Sequence, residues 1–318
     1  MDFDICNVHH HIMDMQGIKP HLKESMKSAF AVRSRNFSNR ILFFTRPFKP
    51  VSITGTDCDL KCKHCSAHYL EHMVDASSND LFLIAADLDR QGEQGMLLSG
   101  GSRCDGSVPT YEHGDTVRSV KSAFHLKISA HTGLVDPQQA ASLRDYGLDM
   151  ALVDVIGSES TIQDVYKLDR TPRDYESTLS NLAAEGIALA PHIIVGLHGG
   201  ELDGELRALE MVQQYDPEVV VIVVFIPTGG TEYSTARKPD INDVVEVMTA
   251  AREMFPSTPL SLSCVRPGGR YRSILDECAL LSGLDRIAVP SRHCYRTAEE
   301  LGFDIREVDR MCCSYGGG

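Results

Sequence analysis

The stretch "VSITGTDCDLKCKHCSAHYL", Val51–Leu70, decides how the chain is read. Its first six residues, Val51–Thr56, alternate apolar and small polar types and read as a β-strand. Directly behind them stand Cys58, Cys62 and Cys65 in a C-x3-C-x2-C array, with His64 and His68 interleaved. Three thiols within eight residues point to a soft metal, because thiolates are its preferred ligands. The residues leave two arrangements open. A zinc knuckle would recruit His64 or His68 as a fourth ligand and close the site. A [4Fe–4S] cluster held by three thiolates would keep one iron open for a ligand.

Outward from this strand the same unit recurs. Apolar β-rich runs at residues 96–100, 124–129, 150–155, 188–196, 219–227, 260–264 and 286–290 alternate with helical patterns at 78–92, 137–146, 173–186, 202–214, 241–254, 270–282 and 293–302. Strands separated by helices of this length make βαβ units and a parallel sheet. Eight such units predict an α/β fold, a (β/α)8 barrel of TIM type or a near-complete one. The division predicted is an N-terminal helical arm over 1–50, the barrel over 51–310 and a cysteine-containing tail over 311–318. In a βα barrel the array falls in the first loop of the C-terminal face, where active sites lie.

Composition narrows the function. The chain has 318 residues, 42% of them apolar and 24% charged, which suits a globular enzyme with a sizeable core. A net charge of −13 disfavours nucleic acid and anionic membranes as partners. No run of 18 apolar residues is present, and "MDFDICNVHHHIMDM" lacks the apolar core of a secretory signal. The protein is expected in the cytoplasm, where ten cysteines speak for metal binding or catalysis before disulfides. No spacing of Asp and Glu selects an acid–base pair, and the "HHH" at 9–11 is given no role.

The array after the first strand resembles the signature of the radical S-adenosylmethionine (radical SAM) superfamily, where the residue before the third cysteine is commonly aromatic or His. The resemblance implies that Cys58, Cys62 and Cys65 hold a [4Fe–4S] cluster whose open iron takes the amino and carboxylate groups of S-adenosylmethionine. Reductive cleavage would then give a 5′-deoxyadenosyl radical. Further matches follow in order. "LLSGGS" (97–102) supplies Ser99, Gly100 and Gly101 beside the methionyl amine, with Ser102 where the family usually has Glu. Asp154 resembles the acid that contacts the ribose hydroxyls. "HIIVGLHGGE" (192–201) matches the strand-five motif in part: Gly196 fits, while His192 stands in a Gly position and Gly199 in a Glu position. "FIPTGGTEY" (225–233) places Ile226 and Pro227 on the adenine side.

Residues 154–187, with Tyr166 and the Arg170–Thr171 pair, resemble biotin synthase. Among the other cysteines, Cys264 ends strand seven in "SCVRPGGRYR", and Cys312 and Cys313 lie in the tail "MCCSYGGG". These three, with Cys104, are the candidate ligands of an auxiliary iron–sulfur cluster; one zinc site or plain buried thiols are the alternatives. Cys278 has helical spacing among apolar residues and reads as structural; Cys6 and Cys294 are ambiguous. The elements together are similar to the two-component lipoyl synthases of archaea and some anaerobes. That similarity implies sulfur insertion into unactivated C–H bonds of a protein-bound octanoyl chain. Its partners would be an acidic lipoyl carrier domain, a second radical SAM subunit and an electron donor such as ferredoxin. The alternative is a radical enzyme without sulfur transfer, a methylornithine-synthase-like mutase or a cofactor-maturation enzyme. The arm carries eight basic residues and one acid between Lys19 and Lys49, and Arg33, Arg35 and Arg40 are its candidate docking charges.

Overall fold

The computed structural model describes residues 3–316. Eleven strands form one sheet: β1 Arg40–Phe44, β2 Lys49–Ser52, β3 Val74–Asp75, β4 Gly95–Ser99, β5 Lys127–His131, β6 Met150–Asp154, β7 Leu189–Val195, β8 Val220–Val224, β9 Leu260–Leu262, β10 Arg286–Ala288 and β11 Asp304–Val308. Eleven α-helices connect and flank them. They are α1 Ile5–Asp14, α2 Pro20–Asn36, α3 Leu81–Arg90, α4 Gly114–Ala123, α5 Pro137–Asp145, α6 Glu159–Val165, α7 Pro172–Ala184, α8 Glu205–Gln213, α9 Ile241–Met254, α10 Arg270–Leu281 and α11 Arg292–Glu300. Every ladder among them is parallel.

The hydrogen-bonded order is β11-β1-β10-β9-β8-β7-β6-β5-β4-β2-β3. The eight strands expected from sequence all appear, and the sheet does not close: its edge strands, β11 and β3, share no ladder. The two-residue period of the strands sorts each side chain to one face. On β4, Met96 and Leu98 belong to the large core shared with the helices, while Leu97 packs with Leu152, Ala190, Val221 and Val223 on the inner face. The inner register runs His131 beside Leu152 and Asp154 beside His192. Val220–Val224 is buried at all five positions, as a strand covered on both faces must be.

One boundary differs from the expected one. Arg40–Phe44, assigned to the arm, is a strand that pairs with both β10 and β11. The arm is also fused to the body through Arg33, which is fully buried. Its guanidinium donates to the carbonyls of Leu284, Ser38 and Arg40 and lies 3.3 Å from Asp285. Asp285 also pairs with buried Arg252 and accepts from the Leu260 amide at 3.0 Å. Arg33 therefore cannot be a docking charge; Arg35 is exposed and Arg40 pairs with Asp304 at 3.6 Å.

The described part of the tail runs on from β11 and packs against Phe44 of β1, Ala288 of β10 and the inner-face cluster. The Met311 amide donates to the Arg46 carbonyl at 3.1 Å. Arg286, inward from β10, donates to the carbonyls of Cys313 and Ser314, both at 3.2 Å. Tyr315 reaches the inner-face cluster and stands 5.5 Å from the Phe48 ring. Gly317 and Gly318 lie outside the described residues. No helix among the described residues is long and apolar enough to cross a membrane.

Candidate cluster, cofactor and substrate sites

The cysteine loop leaves β2 and is pinned back onto the end of β4. Amides of Ile53 and Asp59 donate to the carbonyls of Ser99 and Ser102, both at 2.9 Å. The Gly101 amide donates to Thr54 Oγ1 at 2.7 Å. A Cβ at Gly101 would fall 1.9 Å from the Asp57 carbonyl oxygen and 2.6 Å from Cys58 Cα. The sequence reading has this glycine admitting a ligand; its missing side chain admits the cysteine loop itself. Three non-glycine residues of the loop, Lys61, Ser66 and Ala67, take left-handed φ of 46°, 46° and 69°. Backbone in that sparsely populated region is stored strain, which concentrates at ligand sites.

Cys58, Cys62 and Cys65 all line a cavity of about 210 Å³ together with Ser99, Gly100, Gly101 and Asp154. Ligand atoms of Cys62, His64 and Cys65 lie within 4.8 Å of one another, and Cys58 stands outside that group. One tetrahedral zinc would draw its sulfurs to about 3.8 Å apart, given Zn–S bonds near 2.3 Å. Cys62 and Cys65 are close enough for one such ion, whereas Cys58 stands apart, and three thiols on one loop suit a cluster of several metal ions. His68, the other zinc candidate, is engaged with Glu71 at 2.9 Å. Cys62 is held protonated by its hydrogen bond to Cys65 and by burial; the same hydrogen bond, helped by His64, brings Cys65 down to about 4. Thiolate is the form a metal takes.

The cavity also holds polar atoms without partners. His64 Nδ1 and the Tyr166 hydroxyl are buried and unbonded. Burial raises the Tyr166 hydroxyl well above the phenol range, with nearby Asp154 adding to it. Buried polar groups are paired as a rule, so these suit a polar ligand such as S-adenosylmethionine. Ser99 Oγ is 3.0 Å from His131 Nδ1.

A second cavity of about 440 Å³ adjoins the first and shares His64, Tyr69, Met73, His131, Leu152 and Asp154 with it. Ile226 lines it, as do Cys264, Cys312 and Cys313. Pro227 is half-buried in the turn beyond and Gly196 lies behind the wall: a Cβ on it would strike Pro239 at 2.3 Å, and its amide donates to Glu205 Oε1 at 2.8 Å. Cys264 is solvent-exposed on the wall of the open cavity. Desolvation by the surrounding protein raises its thiol, with Cys312 adding a smaller push. Cys312 is brought down to about 6 by its hydrogen bond with Cys313, which is raised in turn. Cys104 does not join them. It is exposed beside the first loop, its amide donating to Asp59 Oδ2 at 3.1 Å. Cys278 and Cys294 are buried in the helical layer.

Sequence reasoning missed the inner polar residues. His131 and His192 project from β5 and β7 with ring centroids 5.8 Å apart. The available signal was parity: each shares the inward phase of its strand with small or apolar residues.

Comparison with known proteins places this geometry. The family model for the radical SAM superfamily matches residues 52–212, half of the chain. Biotin synthase of Acinetobacter calcoaceticus is 29% identical over 228 residues, covering 68% of this chain and 67% of that protein. Biotin synthase of Bradyrhizobium sp. (strain ORS 278) is 28% identical over 248 residues, covering 75% and 72%. Among solved structures, methylornithine synthase has a TM-score of 0.64 at 15% identity, covering 96% of this chain and 95% of that one. The FeFe-hydrogenase maturase HydG from Carboxydothermus hydrogenoformans has 0.65 at 13%, covering 96% and 76%. These last two share the fold. Cysteine loop, glycine-pinned strand end, open barrel and family match agree: the chain belongs to the radical SAM superfamily and is biotin synthase-like.

Proposed function

We propose that this enzyme inserts sulfur into unactivated C–H bonds of an acyl chain, as a lipoyl synthase-like protein acting on a protein-bound octanoyl group. One observation carries the reading. The 440 Å³ cavity has the S-adenosylmethionine side at one end, through six shared residues, and Cys264, Cys312 and Cys313 on its wall. Its volume falls in the range of small-molecule sites. Leu97, Leu152, Ile194, Val223 and Phe225 give it the apolar wall that a saturated chain prefers.

Cys58, Cys62 and Cys65 would hold the [4Fe–4S] cluster, and Asp154 with the Ser99–Gly101 turn would hold S-adenosylmethionine. When bound, these supply a 5′-deoxyadenosyl radical, needed because a methylene carbon has no acidic proton. The chain's own part is to hold the acyl carbons in the lumen and keep water out. Cys264, Cys312 and Cys313 would carry the sulfur donor as an auxiliary cluster. The buried hydroxyls of Ser261, beside Cys313, and Ser314, beside Cys312, are fitting neighbours for a sulfide-bearing group.

Anaerobic reconstitution with iron and sulfide tests the reading. About eight irons per chain are expected, falling to about four in Cys264→Ala. About four irons in the unaltered protein, with 5′-deoxyadenosine formed and no sulfur in the product, would favour the mutase or maturation alternative.

A further inference from the structure

We infer that His131 and His192 form a binding station for a neutral hydrogen-bond donor on the substrate, so that the cavity selects a carboxamide over a carboxylate. The inference rests on the reading above only in taking the 440 Å³ cavity as the substrate's.

Three observations carry it. Both imidazoles line the cavity, edge to face, from strands one apart in the sheet. Each spends Nδ1 on the protein. His192 Nδ1 lies 2.9 Å from the Ala190 carbonyl, which must accept, so Nδ1 carries the proton and Nε2 is left as an acceptor. His131 Nδ1 meets Ser99 Oγ at 3.0 Å. Among the described residues neither Nε2 has a hydrogen-bond partner.

The second observation is charge. No Lys or Arg lines this cavity or the one beside it, and the one carboxylate on both walls is Asp154. Arg286, the inward cation below, is spent on the carbonyls of Cys313 and Ser314. A substrate carboxylate would be buried without a counter-charge, which is costly in a low-dielectric site. The third is that burial keeps both imidazoles neutral. His192 is brought down to about 4 and His131 below its ordinary value, so neither serves as a cation near pH 7. A neutral N–H donor satisfies the free acceptor on His192; an ester or an anion cannot donate to it.

Binding of three eight-carbon probes to the anaerobically reconstituted full chain tests this. Octanamide is expected to bind roughly tenfold tighter than methyl octanoate, the worth of one net hydrogen bond, and octanoate weakest of all. His192→Phe should remove the amide preference while leaving methyl octanoate affinity unchanged, which also certifies the fold. His192→Asn, which keeps an acceptor, should restore part of the preference. Octanoate binding as tightly as octanamide, or a preference that survives His192→Phe, overturns the inference. Failure of all three probes to bind overturns it together with the assignment of the cavity. An amide-selective enzyme that transfers no sulfur would sink the sulfur reading alone. A sulfur-transferring enzyme indifferent to the amide would sink this inference alone.

Discussion

Alanine at Gly101 and alanine at Gly100 should behave very differently, although the two glycines are neighbours in one motif. At Gly101 the new Cβ would stand 1.9 Å from the Asp57 carbonyl oxygen. Restoring ordinary van der Waals contact requires the loop to move by about 1.5 Å, and the obstacle is backbone, which cannot rotate away. Metal–ligand distances tolerate about 0.2 Å, so Cys58 is carried out of reach of any cluster bound by Cys62 and Cys65. At Gly100 the nearest atoms are side-chain atoms of Ile53 and Thr54 at 3.1 Å, which can yield by a few tenths of an ångström. Iron per chain and visible cluster absorbance after anaerobic reconstitution would report the difference, with circular dichroism as the fold control. Gly101→Ala should lose most of its primary cluster while keeping its secondary structure, and unfold earlier by an overpacking cost of about 1–3 kcal/mol. Gly100→Ala should load normally. Full loading of Gly101→Ala would refute the argument that this glycine exists to seat the loop.

Further outcomes follow from other parts of the molecule. Arg33→Met should cost about 3–5 kcal/mol in thermal or denaturant unfolding, since it strips one cation from buried Asp285. Exposed Arg35→Glu should stay within about 0.5 kcal/mol; equal effects would contradict the fused arm. Glu277 bridges His11 at 2.8 Å and His293 at 3.0 Å, tying α1 to α10 and α11. The hydrogen bond to Glu277 raises His11 above 6.5, so its contribution is full below 6.5 and fades as pH rises through the raised value. Glu277 is lowered by its two histidines, so its share is present above 4.5 and lost as pH falls through the lowered value. The stability gap between the unaltered protein and His11→Gln should therefore be wider at pH 5.5 than at pH 8.5; a gap independent of pH would discard the charged bridge. Cys104→Ala should leave iron content unchanged, measured beside Cys264→Ala.

Much of this was legible in the chain because local rules agreed with the global fold. Short apolar runs rich in β-branched residues, such as Val219–Phe225, read as strands buried on both faces, and helix starts such as Asp136–Pro137 carry their own caps. The cysteine loop was legible because its spacing is local. What was hidden depends on contacts distant in sequence. Arg40–Phe44 becomes a strand only because β10 and β11, more than 240 residues away, flank it. Arg33 looked like surface charge because its anion, Asp285, lies far along the chain. Cys104 and Cys264 both follow strands, yet one loop turns outward and the other meets the tail. Gly196 fits a motif by letter, while its left-handed φ of 74° and its contact with Pro239 give it a turn to make.

The most direct test of the central claim is sulfur transfer from an isotopically labelled protein. The enzyme would be reconstituted with ³⁴S-sulfide, then mixed anaerobically with dithionite, S-adenosylmethionine and an octanoylated carrier-domain peptide. The account predicts 5′-deoxyadenosine together with ³⁴S in the acyl chain, and loss of the ³⁴S in Cys312→Ala. Formation of 5′-deoxyadenosine with an acyl chain free of the label would contradict it.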